Sequence, residues 1–202
     1  MAEIINNLGE DDLVGTDEND VIKGLGGNDI ISAGLGNDRV EGGSGNDDLF
    51  GEEGRDNIIG GTGRDCLSGG EDSDRLQGGS GSDMIIGGPG NDSAQGGRNG
   101  DIFVVSQGDE SLTILDFEQG LDKIVLAGFG VEDVSELELE DATGGGTLIL
   151  LDDDSVRIND VSPDDLSNAD FAFEPIPFQA LTLQDVESLN EIPDIFAGWL
   201  NI

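Results

Sequence analysis

The 202-residue chain contains no histidine and no tyrosine, and it has one cysteine, Cys66, and one tryptophan, Trp199. Without histidine there is no HExxH zinc motif, no Ser–His–Asp triad and no Cys–His pair. A GxSxG elbow and a Walker loop are also missing. A single cysteine excludes an internal disulfide framework, and at a strand position it reads as a small apolar residue. Cations are scarce, with 8 Lys and Arg against 45 Asp and Glu and a net charge of −37. No basic cluster appears along the sequence, which argues against nucleic acid and anionic membrane as partners. No segment is long and apolar enough to span a bilayer. The start, MAEIINNLGEDD, lacks the basic and apolar regions of a cleavable secretory signal. Phe50 is the sole aromatic in the first 102 residues, so an exposed aromatic row for a sugar polymer is missing. Catalysis is not expected, because the acids that stand out are committed to a repeating pattern rather than opposed across a cleft.

What is present is glycine, aspartate and a period. From Asn6 to Val104 the chain divides into eleven nine-residue blocks with no insertion, among them GGSGNDDLF (42–50), GGTGRDCLS (60–68) and GGSGSDMII (78–86). The sixth position is always aspartate: Asp11, Asp20, Asp29, Asp38, Asp47, Asp56, Asp65, Asp74, Asp83, Asp92 and Asp101. The eighth is always apolar: Leu13, Ile22, Ile31, Val40, Leu49, Ile58, Leu67, Leu76, Ile85, Ala94 and Phe103. A short fixed period predicts a solenoid. The glycine-rich half suits a tight turn and the last three residues a short strand. Two blocks then make one turn of the solenoid, and residues eighteen apart stack at about 4.8 Å. Stacked carboxylates that close repel by roughly 3 kcal/mol at an effective dielectric near 20. A hard divalent cation relieves that repulsion, and Ca²⁺, with six to eight oxygens in flexible geometry, suits such a cage better than Mg²⁺. One small apolar group per nine residues is a thin core for backbone so rich in glycine. The metal-free segment is therefore expected to be largely disordered, with calcium binding coupled to folding.

The GGxGxDxUx pattern resembles the nonapeptide of RTX proteins, and about half of the chain carries it. The resemblance implies a calcium-loaded parallel β-roll in which each ion lies between two loops. It implies as metal-site residues the eleven position-six aspartates and the position-four glycines Gly27, Gly36, Gly45, Gly54, Gly63, Gly81 and Gly90, with up to about nine ions. Glu18, Asp72 and Asn99 replace the position-four glycine in three blocks, and Asp and Asn tolerate left-handed backbone. The resemblance further implies export by a type I apparatus that reads an uncleaved C-terminal signal, and an extracellular location where millimolar calcium folds the repeats.

After Val104 the composition changes: 8 of the 34 glycines and seven of the eight phenylalanines fall at 103 or later. Strands are predicted at 102–105, 111–115, 123–126, 147–151 and 155–158, the last two as a hairpin around 152–154. DIFVVSQGDESLTILDFEQGLDKIVLAGFG resembles the segment that follows the repeats in serralysin-type proteases, which implies a β-sandwich-like cap. Asp116 and Asp122 within it read either as a further calcium site or as turn residues. VSPDDLSNADF (161–171) reads as a short helix with Ser162 as N-cap and Pro163 at its first position. Thr182–Asp185 resembles a capping box before a stripe of Leu183, Val186 and Leu189 that Pro193 stops. The expected fold is thus all-β, a β-roll over 1–104, a β-rich cap with short helices over 105–173, and a tail over 174–202 that is similar to type I secretion signals. The expected function is that of a secreted calcium-binding protein with a structural or binding role. The alternative is an accessory module of a secreted RTX hydrolase or polysaccharide epimerase, with a polymer-binding or chaperone-like role.

The strand faces predict one more feature. Odd blocks form one sheet, with eight of twelve outward positions apolar: Val14, Ile30, Phe50, Cys66, Met84, Ile86, Ile102 and Val104. The even sheet has only Val21 and Ile59 among its ten. The odd sheet is expected to be covered, by the C-terminal part of the chain or by a second copy in a homo-oligomer.

Overall fold

The computed structural model describes residues 3–5 and 8–172. The N-terminal strands are β1 (Glu3–Ile5), β2 (Asp12–Val14), β3 (Val21–Lys23), β4 (Ile30–Leu35), β5 (Arg39–Ser44) and β6 (Asp48–Glu53). They continue as β7 (Asn57–Thr62), β8 (Cys66–Glu71), β9 (Arg75–Ser80), β10 (Met84–Ile86), β11 (Gly90–Arg98) and β12 (Ile102–Ser106). The remainder holds β13 (Glu110–Ile114), β14 (Lys123–Ala127), β15 (Glu138–Asp141), β16 (Thr147–Leu151), β17 (Asp154–Ile158) and β18 (Phe171–Ala172). Odd and even blocks separate into two sheets, as the period requires. One runs β1-β3-β5-β7-β9-β11-β13-β17-β16-β15 and the other β18-β14-β12-β10-β8-β6-β4-β2. Neighbouring strands are parallel except at the far end of the first sheet, where β17, β16 and β15 pair antiparallel; within the repeats each residue faces the one eighteen further on, Val40 beside Ile58 and Leu49 beside Leu67.

The position-eight side chains all point between the sheets. Ile22, Val40, Ile58, Leu76 and Ala94 line one wall, and Leu13, Ile31, Leu49, Leu67, Ile85 and Phe103 the other. Strands β4 to β9 are longer than three residues because the position-two and position-three residues of the next block also pair, Gly43 with Gly61 and Ser44 with Thr62. Turns stack so closely there that side chains are excluded. At Gly63, φ is +133° and a methyl would overlap the carbonyl of Gly45.

Both sheets run on past Val104 while the period lengthens. Ala94 faces Ile114, Phe103 faces Ile124, Ile114 faces Ile158, and Ile124 faces Phe171. The five strands expected in this region form close to their anticipated limits, and β16–β17 is the antiparallel hairpin. The expected short helix over 161–171 is replaced by two 3₁₀ turns, Pro163–Asp165 and Asn168–Asp170. Pro163 does open the first, but Ser162 makes no capping bond. In the second, Ser167 and Asp170 form the capping box. The reason is topological: Phe171 must return to the sheet beside Ile124, which leaves too few residues for a helix. The anticipated capping box at Thr182 and the stripe behind it lie outside the described residues.

Candidate functional site

Strand stacking sets the position-six aspartates in two columns, one on each edge of the roll. From Asp20 to Asp101 every one of them is buried. From Asp29 on, each carboxylate uses Oδ1 to accept the backbone N–H of the aspartate eighteen residues earlier. On one edge Asp29 accepts from Asp11, Asp47 from Asp29, Asp65 from Asp47, Asp83 from Asp65 and Asp101 from Asp83, at 2.9–3.0 Å. On the other Asp38, Asp56, Asp74 and Asp92 do the same at 2.7–2.8 Å. The pairing expected from the period is the pairing that forms.

The second oxygen is left over. Oδ2 of Asp29, Asp38, Asp47, Asp56, Asp65, Asp74, Asp83 and Asp101 is buried with no hydrogen-bond donor. Such atoms are costly unless something positive meets them. All but that of Asp38, whose block opens on Ala33, face the Cα of their own position-one glycine, and a Cβ placed on Gly60 would lie 2.5 Å from Asp65 Oδ2 and 2.8 Å from the carbonyl oxygen of Gly78. Glycine at position one therefore keeps open a space lined by a carboxylate oxygen and a backbone carbonyl. Sequence reasoning assigned position-four glycines to the site and overlooked Gly24, Gly42, Gly51, Gly60, Gly69, Gly78 and Gly96, although glycine recurs there as regularly. Among the described residues no group of three or more Cys, Asp or Glu side chains could hold a metal. A cation held in these columns must therefore draw on carbonyls as well as carboxylates. This donor set, all oxygen and partly backbone, fits Ca²⁺.

Burial also sets the acidity. Desolvation, partly offset by the backbone hydrogen bond, pushes Asp47, Asp56, Asp83 and Asp92 up to about 6 and Asp74 to about 7. Asp65 and Asp101 reach about 8, with neighbouring carboxylates adding to desolvation. Near neutral pH these groups take up either a proton or a cation.

The ends of the columns differ from their middles. Asp20 Oδ2 accepts from the Thr16 amide at 2.8 Å and the Thr16 hydroxyl at 2.7 Å, so donors within its own block occupy it. Asp72 and Asn99 take φ of +77° and +81° and hold the left-handed turn that glycine makes elsewhere. The column through Asp92 stops because Leu112 occupies the next position in register. The column through Asp101 continues to Asp122, whose Oδ1 accepts from the Asp101 amide and Oδ2 from Glu118. Asp116 accepts from the amides of Gly96 and Gly97. Outside the aspartates runs an asparagine ladder that sequence reasoning missed. Oδ1 of Asn19, Asn28, Asn37 and Asn46 accepts the amides of Asn37, Asn46, Arg55 and Arg64. Its signal was the recurrence of Asn at position five.

The model of the RTX calcium-binding nonapeptide repeat (4 copies) matches residues 5–40, 41–76 and 77–109, just over half of the chain. No curated protein matches it. Among solved structures, the chain is similar to the extracellular lipase LipA from Serratia marcescens, at 18% identity and a TM-score of 0.43, over 84% of this chain and 40% of the lipase. It is also similar to the AlgE6R3 subunit of the Azotobacter vinelandii mannuronan C5-epimerase, at 22% identity and a TM-score of 0.31, over 87% of this chain and 84% of that one. The chain thus spans less than half of the lipase's length. By its repeats, and by the family model that covers them, the chain belongs to the RTX calcium-binding nonapeptide-repeat family.

Proposed function

We propose that this is a secreted calcium-binding protein whose roll folds on meeting extracellular calcium, with a structural or binding role and no catalysis. The observation that carries the reading is the set of buried, donorless Oδ2 atoms of Asp29, Asp38, Asp47, Asp56, Asp65, Asp74, Asp83 and Asp101. In water the unfolded carboxylates are solvated; in the roll they are stacked and dry, so folding needs the ion as much as the ion needs the fold. Between them the two columns offer up to about nine cation positions, enough to neutralise roughly half of the chain's excess charge. Calcium supplies charge neutralisation and cross-linking of successive turns; the chain supplies Oδ2 and carbonyl donors at a fixed spacing. Residues 1–104 are the calcium module, 105–173 its cap and 174–202 the segment read by a type I apparatus. Circular dichroism of metal-stripped protein tests the reading. A cooperative gain of β signal is expected on adding Ca²⁺, at about 10⁻⁴–10⁻³ M as in extracellular modules, with little response to Mg²⁺. Full β signal without metal would overturn it.

A specific observation favours the second reading, an accessory module that holds an acidic polymer. The fold gathers Lys23, Arg39, Arg75 and Arg157 on the outer face of the even-block sheet. Glu41 is the acid of strands β3 to β11 on that face, and it pairs with Lys23 at 2.9 Å and with Arg39. Arg75 is exposed and has no ion pair among the described residues. Binding of a polyuronate to the calcium-loaded chain, weakened at least about tenfold by Arg75→Glu, is the expected result under this reading. No binding to wild type would remove it.

A further inference from the structure

One loop in the middle of the roll carries charge where its neighbours carry glycine. Asp72 stands at position four of block 69–77. It takes φ of +77°, and its carbonyl lies under Gly90 as that of Gly63 lies under Gly81, so the backbone stacks there as it does in the glycine loops. What Asp72 adds is a carboxylate. Between this loop and that of block 51–59 lies one of the open spaces, with Asp56 Oδ2 and the Gly69 carbonyl oxygen 2.3 Å and 2.4 Å from where a Cβ on Gly51 would be. Asp56 and Asp74 are 3% and 4% exposed, and their Oδ2 atoms have no donor. Burial first, and neighbouring charges that include Asp72 after it, raise Asp56 to about 6 and Asp74 to about 7. Asp92, one turn further on, is raised by burial and then by Asp109 and Glu110. The Asp72 charge therefore bears on the interval between Asp56 and Asp74. Glu53 and Glu71, register partners at position three of the same two blocks, are exposed. Leu35 and Pro89 take that position in the even blocks on either side. Among the described residues neither these glutamates nor Asp72 has an ion pair.

We propose that Asp72 makes the interval between Asp56 and Asp74 a cation position unlike its neighbours in the column, one that holds calcium more tightly and prefers a trivalent ion such as Tb³⁺. This role rests on the calcium binding proposed above. Its physical cause is charge balance. Within a column each carboxylate is shared by two intervals, so a filled interval sets about one negative charge of its own against calcium's two. Positive charge then accumulates along the column, and each further ion binds against it. A carboxylate beside one interval offsets that excess there. Asp72 acts as a charge and not as a ligand, since no three carboxylates among the described residues converge on one point. The other two replacements of the position-four glycine lack the effect: Asn99 is neutral, and in the block of Glu18 the Asp20 Oδ2 is already taken by Thr16. The plain alternative is that any residue but glycine at position four weakens its loop. The two accounts predict opposite signs for putting glycine back.

Arg55, exposed beside Asp56, is the place for a local reporter. In the full chain carrying Arg55→Trp and loaded with Ca²⁺, Tb³⁺ is expected to displace Ca²⁺ first at this interval, with tryptophan-sensitised emission rising over about the first equivalent. The chain with native Arg55 serves to subtract the contribution of Trp199. Asp72→Gly and Asp72→Asn in the reporter chain should each raise the Tb³⁺ needed for half of that emission at least about tenfold, the effect of an exposed unit charge on a multivalent ion at the dielectric of water. The difference should fade between about 0.05 M and about 1 M KCl, as screening requires and a backbone effect does not. Equal Tb³⁺ binding with and without Asp72, tighter binding on restoring glycine, or a loss in Asp72→Gly that Asp72→Asn does not share would overturn the proposal. Native mass spectrometry of the wild type separates this from the calcium reading beneath it. Calcium uptake in the wild type, with Tb³⁺ binding indifferent to Asp72, ends only the role of Asp72; no calcium uptake ends both.

Discussion

Replacing Asp65 with asparagine is expected to remove calcium from two neighbouring positions at once. Asp65 sits in the middle of its column: its Oδ1 accepts the Asp47 amide and its own amide donates to Asp83. It therefore borders the interval below and the interval above. Asparagine can still accept the Asp47 amide, so the backbone column survives the change. The loss is the negative Oδ2, which an NH₂ replaces where a cation should sit. Attraction between unit charges at 4 Å is about 4 kcal/mol at an effective dielectric of 20, and calcium carries two, so affinity at both positions should fall at least about 100-fold. Native mass spectrometry at saturating calcium should then count fewer ions than in wild type, and the calcium midpoint of folding should rise. Asp20→Asn is the internal contrast. The Thr16 amide and hydroxyl already occupy Asp20 Oδ2, so that variant should keep the wild-type ion count. If Asp65→Asn binds as many ions at the same midpoint, the columns are not the calcium sites.

Acid should partly replace calcium. The folded carboxylates titrate near 6 for Asp47, Asp56 and Asp83, near 7 for Asp74 and near 8 for Asp65 and Asp101. In the unfolded chain each titrates at about 3.9. The folded state therefore binds more protons than the unfolded state across this interval. The stability this contributes is fully present below about pH 4 and is lost as pH rises through 6 to 8. Metal-stripped protein should accordingly gain β signal on acidification from about pH 8 to about pH 4.5. In calcium the same protons compete with the ion, so the midpoint should move to higher calcium between about pH 7.5 and pH 5.5. A metal-free chain equally unfolded at both pH values, with a calcium midpoint that ignores pH, would mean that burial of the aspartates does not govern folding.

Much of this arrangement was legible before any coordinates. An invariant aspartate and an apolar residue two positions later, repeated without a slip, specify two sheets and a spacing of eighteen, because a strand's side chains alternate and one turn takes two blocks. Strands beyond the repeats were equally legible from alternation. The short helix expected over 161–171 does not form: Ser162 and Pro163 describe how a helix could start, whereas Phe171 beside Ile124 dictates that the chain be extended again. Local preference yields to a tertiary pairing when the segment between is short. Thr16 was not read as a cap for Asp20, since the two meet only because their loop closes differently from the glycine loops. The cations of the even-block sheet are scattered in sequence from Lys23 to Arg157 and become neighbours only through strand register.

The sequence by itself determined the period, the family and the column of carboxylates, because each follows from residue type at a fixed spacing. Only the tertiary structure decided which oxygen of each carboxylate is consumed by the backbone and which is left for a cation. It also decided where the columns end, at Leu112 on one edge and past Asp101 at Asp122 on the other. Those outcomes depend on how successive turns stack in three dimensions, and a linear pattern records the spacing of groups but not the direction in which each one points.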